Sequence, residues 1–285
     1  MPSIAITGST GQLGRATVTH LLDRGVPAAD LVALARTPAA ADDLAARGVT
    51  VRAFDYDQPE TLAPALDGVD RLLLVSGSEP GRRIPQHTAV IEAARTAGVG
   101  LLAYTSILNA ETTRMQLAAE HQETERLIAD SGLPAVLLRN GWYTENYTRT
   151  LDQTIEHGAL VGAAASGRVG LAARDDYALA AAVVLAGEGH AGRAYELSGP
   201  AITLAELAAT ISTVAGREIP YRPLAPADYE QLLVGAGLPA PVAAIFADVD
   251  VQIDAGALEH DGDDLERLIG RPVTPVADTV RAALA

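Results

Sequence analysis

The run Gly8-Ser9-Thr10-Gly11-Gln12-Leu13-Gly14 follows the short apolar stretch Ile4 to Thr7 and opens a helical pattern that ends at Gly25. Glycines spaced by three let the chain turn tightly and bring backbone close to a diphosphate. They also let the helix start sit on the strand while its first amides face outward. A glycine triplet on its own is weak evidence. Between a first strand and a first helix it predicts a dinucleotide cradle at Gly8, Ser9, Thr10, Gly11, Gln12 and Leu13.

Apolar runs at 31–35, 49–54, 71–75, 101–105 and 135–138 alternate with helical segments at 59–66, 86–97 and 116–130. That alternation predicts an α/β chain built as a doubly wound Rossmann parallel sheet with right-handed crossovers. Past Asn140 strands become sparse, and half of the 16 prolines lie from Pro200 to Pro275, so a smaller C-terminal α/β lobe is expected. The expected division gives 1–140 to the cofactor-binding domain, joined by about 167–190 through the strand Val169 to Ala172 and the helix Asp176 to Leu185. Residues 141–166 and 191–285 then form the substrate-binding lobe.

The second strand ends Ala35-Arg36-Thr37. A site that prefers NAD would place a carboxylate here for the ribose hydroxyls, whereas a guanidinium suits a 2′-phosphate, so Arg36 favours NADP unless it is only a solvated charge at the strand end. Asp55, after the third strand, is either an acceptor for the adenine amino group or an ordinary acidic loop residue. Ser76-Gly77-Ser78-Glu79 ends the fourth strand and is expected to line the nicotinamide-ribose side, with Thr105 and Ser106 ending the fifth. Many reductases of this architecture then carry Tyr-x-x-x-Lys, whose tyrosine donates a proton. The corresponding places here are Leu117 and His121, so that acid is missing, and His121 is either a substitute donor or, more commonly for its kind, a surface histidine.

Several chemistries are excluded outright. All 21 basic residues are arginine, which removes Schiff-base, P-loop and relay lysines, and the absence of cysteine removes thiolate nucleophiles, disulfides and iron–sulfur clusters. The histidines show no metal-binding spacing and no G-x-S-x-G elbow occurs, so neither a metal site nor a serine hydrolase is expected. A net charge of −15 repels nucleic acid and anionic membrane surfaces. The longest apolar run, Ala178 to Ala186, falls short of the ~20 residues a spanning helix needs, and a cytoplasmic protein is expected. The segment Arg139-Asn140-Gly141-Trp142-Tyr143-Thr144-Glu145-Asn146-Tyr147 holds three of the chain's eleven aromatic residues just beyond a strand end, which suits either a flat ligand with polar edges or buried core that anchors the smaller lobe.

The glycine turn without a tyrosine–lysine pair, the Arg139 to Tyr147 block, and Tyr195-Glu196-Leu197-x-Gly199-Pro200 followed by a helix together resemble the NmrA-like atypical short-chain dehydrogenase/reductases. Within them the likeness is to the quinone-reducing bacterial branch. This resemblance implies NADP(H) in the groove between the two parts, with Gly8 to Leu13 on the pyrophosphate and Arg36 on the 2′-phosphate. It puts Ser78 and Glu79 on the ribose side, and Asn140, Gly141, Trp142, Tyr143, Thr144 and Glu145 along the nicotinamide, with Arg174 reaching the site. The implied activity is NADPH-dependent hydride transfer to a quinone without flavin, the acceptor stacked near Trp142 and Tyr143 and its oxyanion steadied by Tyr143 or Asn146. The alternatives are a non-catalytic NADP(H) sensor and a reductase of another carbonyl, enone or imine. Apolar faces on two adjacent helices would also suit a homodimer.

Overall fold

The structure, a computed structural model, describes residues 2–77, 79 and 81–285. Strands β1 (Ile4–Ile6), β2 (Leu31–Ala35), β3 (Thr50–Ala53), β4 (Arg71–Leu74), β5 (Leu101–Ile107) and β6 (Ala135–Asn140) are linked by helices α1 (Gln12–Asp23), α2 (Asp42–Ala46), α3 (Leu62–Ala65), α4 (Arg83–Ala97) and α5 (Ala119–Ser131). There follow β7 (Trp142–Tyr143), α6 (Glu145–Thr148), α7 (Leu151–His157), β8 (Leu160–Gly162), β9 (Arg168–Ala172), α8 (Arg174–Ala186) and β10 (Ala194–Leu197). The chain ends with β11 (Ala201–Thr203), α9 (Leu204–Ala215), β12 (Tyr221–Pro223), α10 (Pro226–Gly235), α11 (Ala240–Asp254), α12 (Asp264–Ile269) and α13 (Val276–Ala283).

The large sheet runs β10-β6-β5-β4-β1-β2-β3, and every pairing in it is parallel. Its central strands are continuous apolar runs because both faces are covered. Alternate residues divide between the faces: Ile4, Ile6, Leu73 and Val136 pack under α1 and α8, whereas Ala5, Val32, Leu72 and Leu102 pack on the side of α3, α4 and α5. A third cluster, containing Leu160, Leu171, Leu204, Ile211 and Ile253, forms the smaller lobe. Among the described residues no helix is long and apolar enough to cross a membrane.

Two expectations need correction. Val169 to Ala172 does not return to the main sheet; β9 pairs antiparallel with β11 and parallel with β7, while α8 does return and packs on α1. Conversely β10, expected in the lobe, is the seventh strand of the main sheet, with Tyr195 opposite Leu138 and Leu197 opposite Asn140. A four-residue strand at a sheet edge carries too little apolar pattern to announce which sheet it joins; the α8 crossover decides it.

Candidate functional site

Because the strands are parallel, their C-terminal ends meet along one edge, and the order reverses between β4 and β1 to leave a crevice there. The glycine turn sits at this crevice. Gly8 takes φ +57°, the Gly11 amide donates to the Gly8 carbonyl at 2.8 Å, and Gly11 begins α1 with no side chain capping it. A Cβ on Gly14 would stand 2.8 Å from the Gly8 carbonyl carbon, 2.9 Å from the Thr7 carbonyl oxygen, and closer still to the Gly8 oxygen. The first-turn amides of α1 are therefore open to an anion, as a diphosphate requires.

The block after β6 leaves the C-terminal edge of the same sheet. Asn140 is 5% exposed; its Nδ2 donates to the Tyr143 hydroxyl at 3.2 Å, yet its Oδ1 has no partner among the described residues, and neither does the buried Thr144 Oγ1. Buried polar atoms are normally paired, so this pair of orphans fits a polar ligand that completes them. Both Glu145 carboxylate oxygens accept from the Arg174 amide at 3.0 Å, and the Arg174 guanidinium stands 5.3 Å from the centre of the Tyr143 ring. Burial pushes the Tyr143 phenol above its ordinary pKa, against a smaller opposing effect of Asn140, so its proton stays in place. Asn146, in the first turn of α6, is half-buried and makes no side-chain hydrogen bond among the described residues.

A family model described as NAD(P)H-binding matches residues 8–187. The chain belongs to that family. Quinone oxidoreductase 2 of Escherichia coli K12 is 48% identical over 278 residues, 97% of each chain, and an NAD(P)H azoreductase of Xenophilus azovorans is 30% identical over 98% of this chain and 97% of its own. The crystal structure of the E. coli NADPH-dependent quinone oxidoreductase complexed with NADPH superposes with a TM-score of 0.96 at 47% identity, covering 99% of this chain and 100% of that one. Citrobacter triphenylmethane reductase complexed with NADP(H) gives 0.93 at 40%, covering 99% of each. This is an NAD(P)H-binding oxidoreductase of NmrA-like type.

The crevice does not gather every residue that the sequence suggested. Arg36 is at the edge, its side chain 70% exposed, with Glu79 3.8 Å away; Ser78 lies outside the described residues. Ser9 turns inward, and its Oγ donates to the Leu34 carbonyl at 2.9 Å, tying the turn to β2. The Asp55 carboxylate accepts from the Asp57 amide and from Gln58 Nε2, both at 3.1 Å, which gives it the work of closing its own turn. Thr105 Oγ1 accepts from the Ser76 amide at 2.8 Å and so braces the end of β4. Ser106 points to the other face, where its Oγ donates to Glu125 at 2.5 Å beside Arg139. Arg139 is itself no part of the crevice: it pairs with Glu111, Glu125 and Glu196, joining β6 to α5 and β10.

Trp142 and Tyr143 pack on different cores. Neighbours on a strand project to opposite faces, so Tyr143 packs with Tyr177 against the main-sheet core and Trp142 with Tyr147 against the lobe. His121 is not a surface residue: it is buried, its Nδ1 lies 2.8 Å from the Tyr104 hydroxyl, and burial drives its pKa well below the ordinary value.

Nothing in the sequence singled out Tyr56 or the inner face of α4. The Tyr56 hydroxyl lies 2.6 Å from Thr7 Oγ1 and 3.1 Å from the Val75 carbonyl, bridging the ends of β1 and β4 behind the glycine turn. Arg83 Nε donates to the Gly77 carbonyl at 2.9 Å, and the Gly77 amide donates to His87 Nε2 at 3.1 Å. The only signal for this pair was the i, i+4 spacing of Arg83 and His87, which a solvated helix face shares.

Proposed function

We propose that this oxidoreductase uses NADPH to reduce a quinone, or a similarly flat acceptor, by direct hydride transfer without flavin. The observation that carries the proposal is the pair of buried oxygens without a partner among the described residues, Asn140 Oδ1 and Thr144 Oγ1, in the block after β6 of a chain whose glycine turn leaves the start of α1 uncapped. The likeness to the E. coli enzyme, described with NADPH bound, supports the choice of cofactor and acceptor.

When bound, NADPH supplies the hydride. The chain's own residues do the rest. The turn from Gly8 to Leu13 and the first amides of α1 hold the diphosphate, Arg36 meets the 2′-phosphate, and Asn140 and Thr144 offer hydrogen-bonding atoms along the nicotinamide. Ser76, Glu79 and Arg174 border the same crevice. A quinone that has accepted hydride is a phenolate-like anion with a pKa of about 10, similar to tyrosine, so no strong acid is needed. The missing tyrosine–lysine pair is consistent with that. Asn140 Nδ2 occupies the Tyr143 oxygen as acceptor, which leaves the phenolic O–H free to donate to the developing oxyanion, and the Asn146 amide offers a second donor.

The test is NADPH oxidation by purified protein with a small benzoquinone, followed by nicotinamide absorbance. Wild type is expected to turn over, and Tyr143→Phe and Asn146→Ala each to lose kcat/KM by about a hundredfold, the lower end of the usual scale for one oxyanion donor, with NADPH binding retained. Unchanged turnover in both variants would remove those roles. NADPH binding without oxidation of NADPH by any quinone would replace the reductase with a sensor.

A further inference from the structure

Both backbone hydrogen-bonding groups of Gly77 are taken by one helix. Arg83, Gln86 and His87 lie on a single face of α4, and all three converge on that residue. The guanidinium holds its carbonyl, the imidazole holds its amide, and Gln86 Oε1 stands 3.2 Å from where a Gly77 Cβ would be. Gln86 is fixed in turn, its Nε2 donating to Asp57 at 3.1 Å.

The imidazole has its tautomer set by its neighbours. Since Nε2 accepts from Gly77, the ring proton must sit on Nδ1, which faces Thr124 Oγ1 at 2.9 Å; that hydroxyl donates onward to the Glu120 carbonyl at 2.7 Å. Burial, with Arg83 adding to it, pushes the His87 pKa down to about 3, so the ring is neutral at any working pH and keeps an acceptor toward Gly77. Glu120 closes the other side, accepting from the Gly81 amide at 3.1 Å and lying 3.7 Å from Arg83. Gly77 is therefore committed to α4 through both its amide and its carbonyl, and it follows Ser76, whose amide is held by Thr105 Oγ1 at 2.8 Å.

We propose that His87 and Arg83, with Thr124 behind them, are positioning residues for the cofactor, holding the Gly77 peptide so that the end of β4 is preformed for the nicotinamide half. This rests on the NADPH reading above. None of the three is expected to touch cofactor or acceptor.

The experiment measures NADPH affinity directly by binding fluorescence, alongside thermal midpoints and steady-state constants. His87→Phe keeps a ring and loses the acceptor, and His87→Gln restores an acceptor. Thr124→Val is nearly isosteric and removes the acceptor for His87 Nδ1–H, leaving that buried donor unpaired and the ring free to shift away from Gly77, and Thr124→Ser restores it. His87→Phe and Thr124→Val are each expected to raise the NADPH Kd and KM about tenfold, the scale of one unmade buried hydrogen bond, with kcat for bound substrates changing less. His87→Gln and Thr124→Ser should recover most of it. If both losses lower the thermal midpoint but leave NADPH affinity at the wild-type value, the residues merely support the fold and the proposal fails. If His87→Phe does not fold, Thr124→Val against Thr124→Ser decides it on the same terms. Wild type that binds no NADPH would overturn the cofactor reading itself, a result distinct from either.

Discussion

Arg36 offers the most direct measure of cofactor choice. Its side chain is 70% exposed, and its contact with Glu79 is a loose 3.8 Å ion pair at the surface. Such a pair is worth well under about 1 kcal/mol and yields readily to a stronger anion. Two unit charges 4 Å apart in water attract by about 1 kcal/mol, and a phosphate monoester carries roughly −1.5 to −2, so the gross attraction is about 2 kcal/mol. Screening at physiological salt, where the Debye length is about 8 Å, and displacement of Glu79 leave about 1–2 kcal/mol, a factor of roughly 5 to 30. Arg36→Ala should therefore cut the ratio of kcat/KM for NADPH over NADH by that factor, with the NADH value nearly unchanged. Glu79→Gln should move the ratio the other way by a few fold. Raising the salt to about 1 M, where the Debye length is about 3 Å, should erode the preference in wild type and barely alter it in Arg36→Ala. A ratio that stays at its wild-type value in Arg36→Ala would refute the assignment.

Other outcomes rest on the packing. Gly14→Ala forces a methyl group against the backbone of Gly8 and Thr7, which cannot recede without opening the turn. It should cost about 3 kcal/mol, the upper range for overpacking, in chemical denaturation and weaken NADPH binding more than tenfold; a variant matching wild type in both would show that the close approach is not needed. Asp250 is 5% exposed and accepts from the Ala163 amide at 2.6 Å, and burial raises its pKa from 3.8 to about 6. A group whose folded pKa is raised favours folding when protonated, so its contribution is full below pH 3.8 and is lost as pH rises through 6. Asp250→Asn keeps an acceptor for Ala163 and removes the charge, so it should be more stable than wild type at pH 8 by up to about 3 kcal/mol, with the difference closing toward pH 4. A gap that is flat with pH, or larger in acid, would count against it.

The parts legible in the sequence are those whose cause is local. The positive φ of Gly8, the uncapped start of α1 and the close approach at Gly14 are demands that three glycines meet within seven residues. Runs such as Leu31–Ala35 and Leu101–Ile107 state their own burial, since only a strand covered on both faces needs continuous apolar residues. The block after β6 announced itself through aromatic and amide residues that are rare elsewhere in the chain.

The remainder depended on partners distant in the chain. Arg139 and Asn140 are adjacent, and strand alternation sends one to a cluster of carboxylates and the other to the crevice; the same rule separates Trp142 from Tyr143. β10 joins the large sheet only because α8 carries the chain back across it, bringing Tyr195 opposite Leu138. His87 on a helix has no evident task until Gly77 folds over its Nε2 and Thr124 closes on its Nδ1. The sequence by itself determined the cradle, because backbone conformation and helix initiation are short-range. Only the tertiary structure decided which polar side chains face the ligand and which hold the frame, because a hydrogen bond's value depends on the water removed around it and on a partner that folding alone supplies.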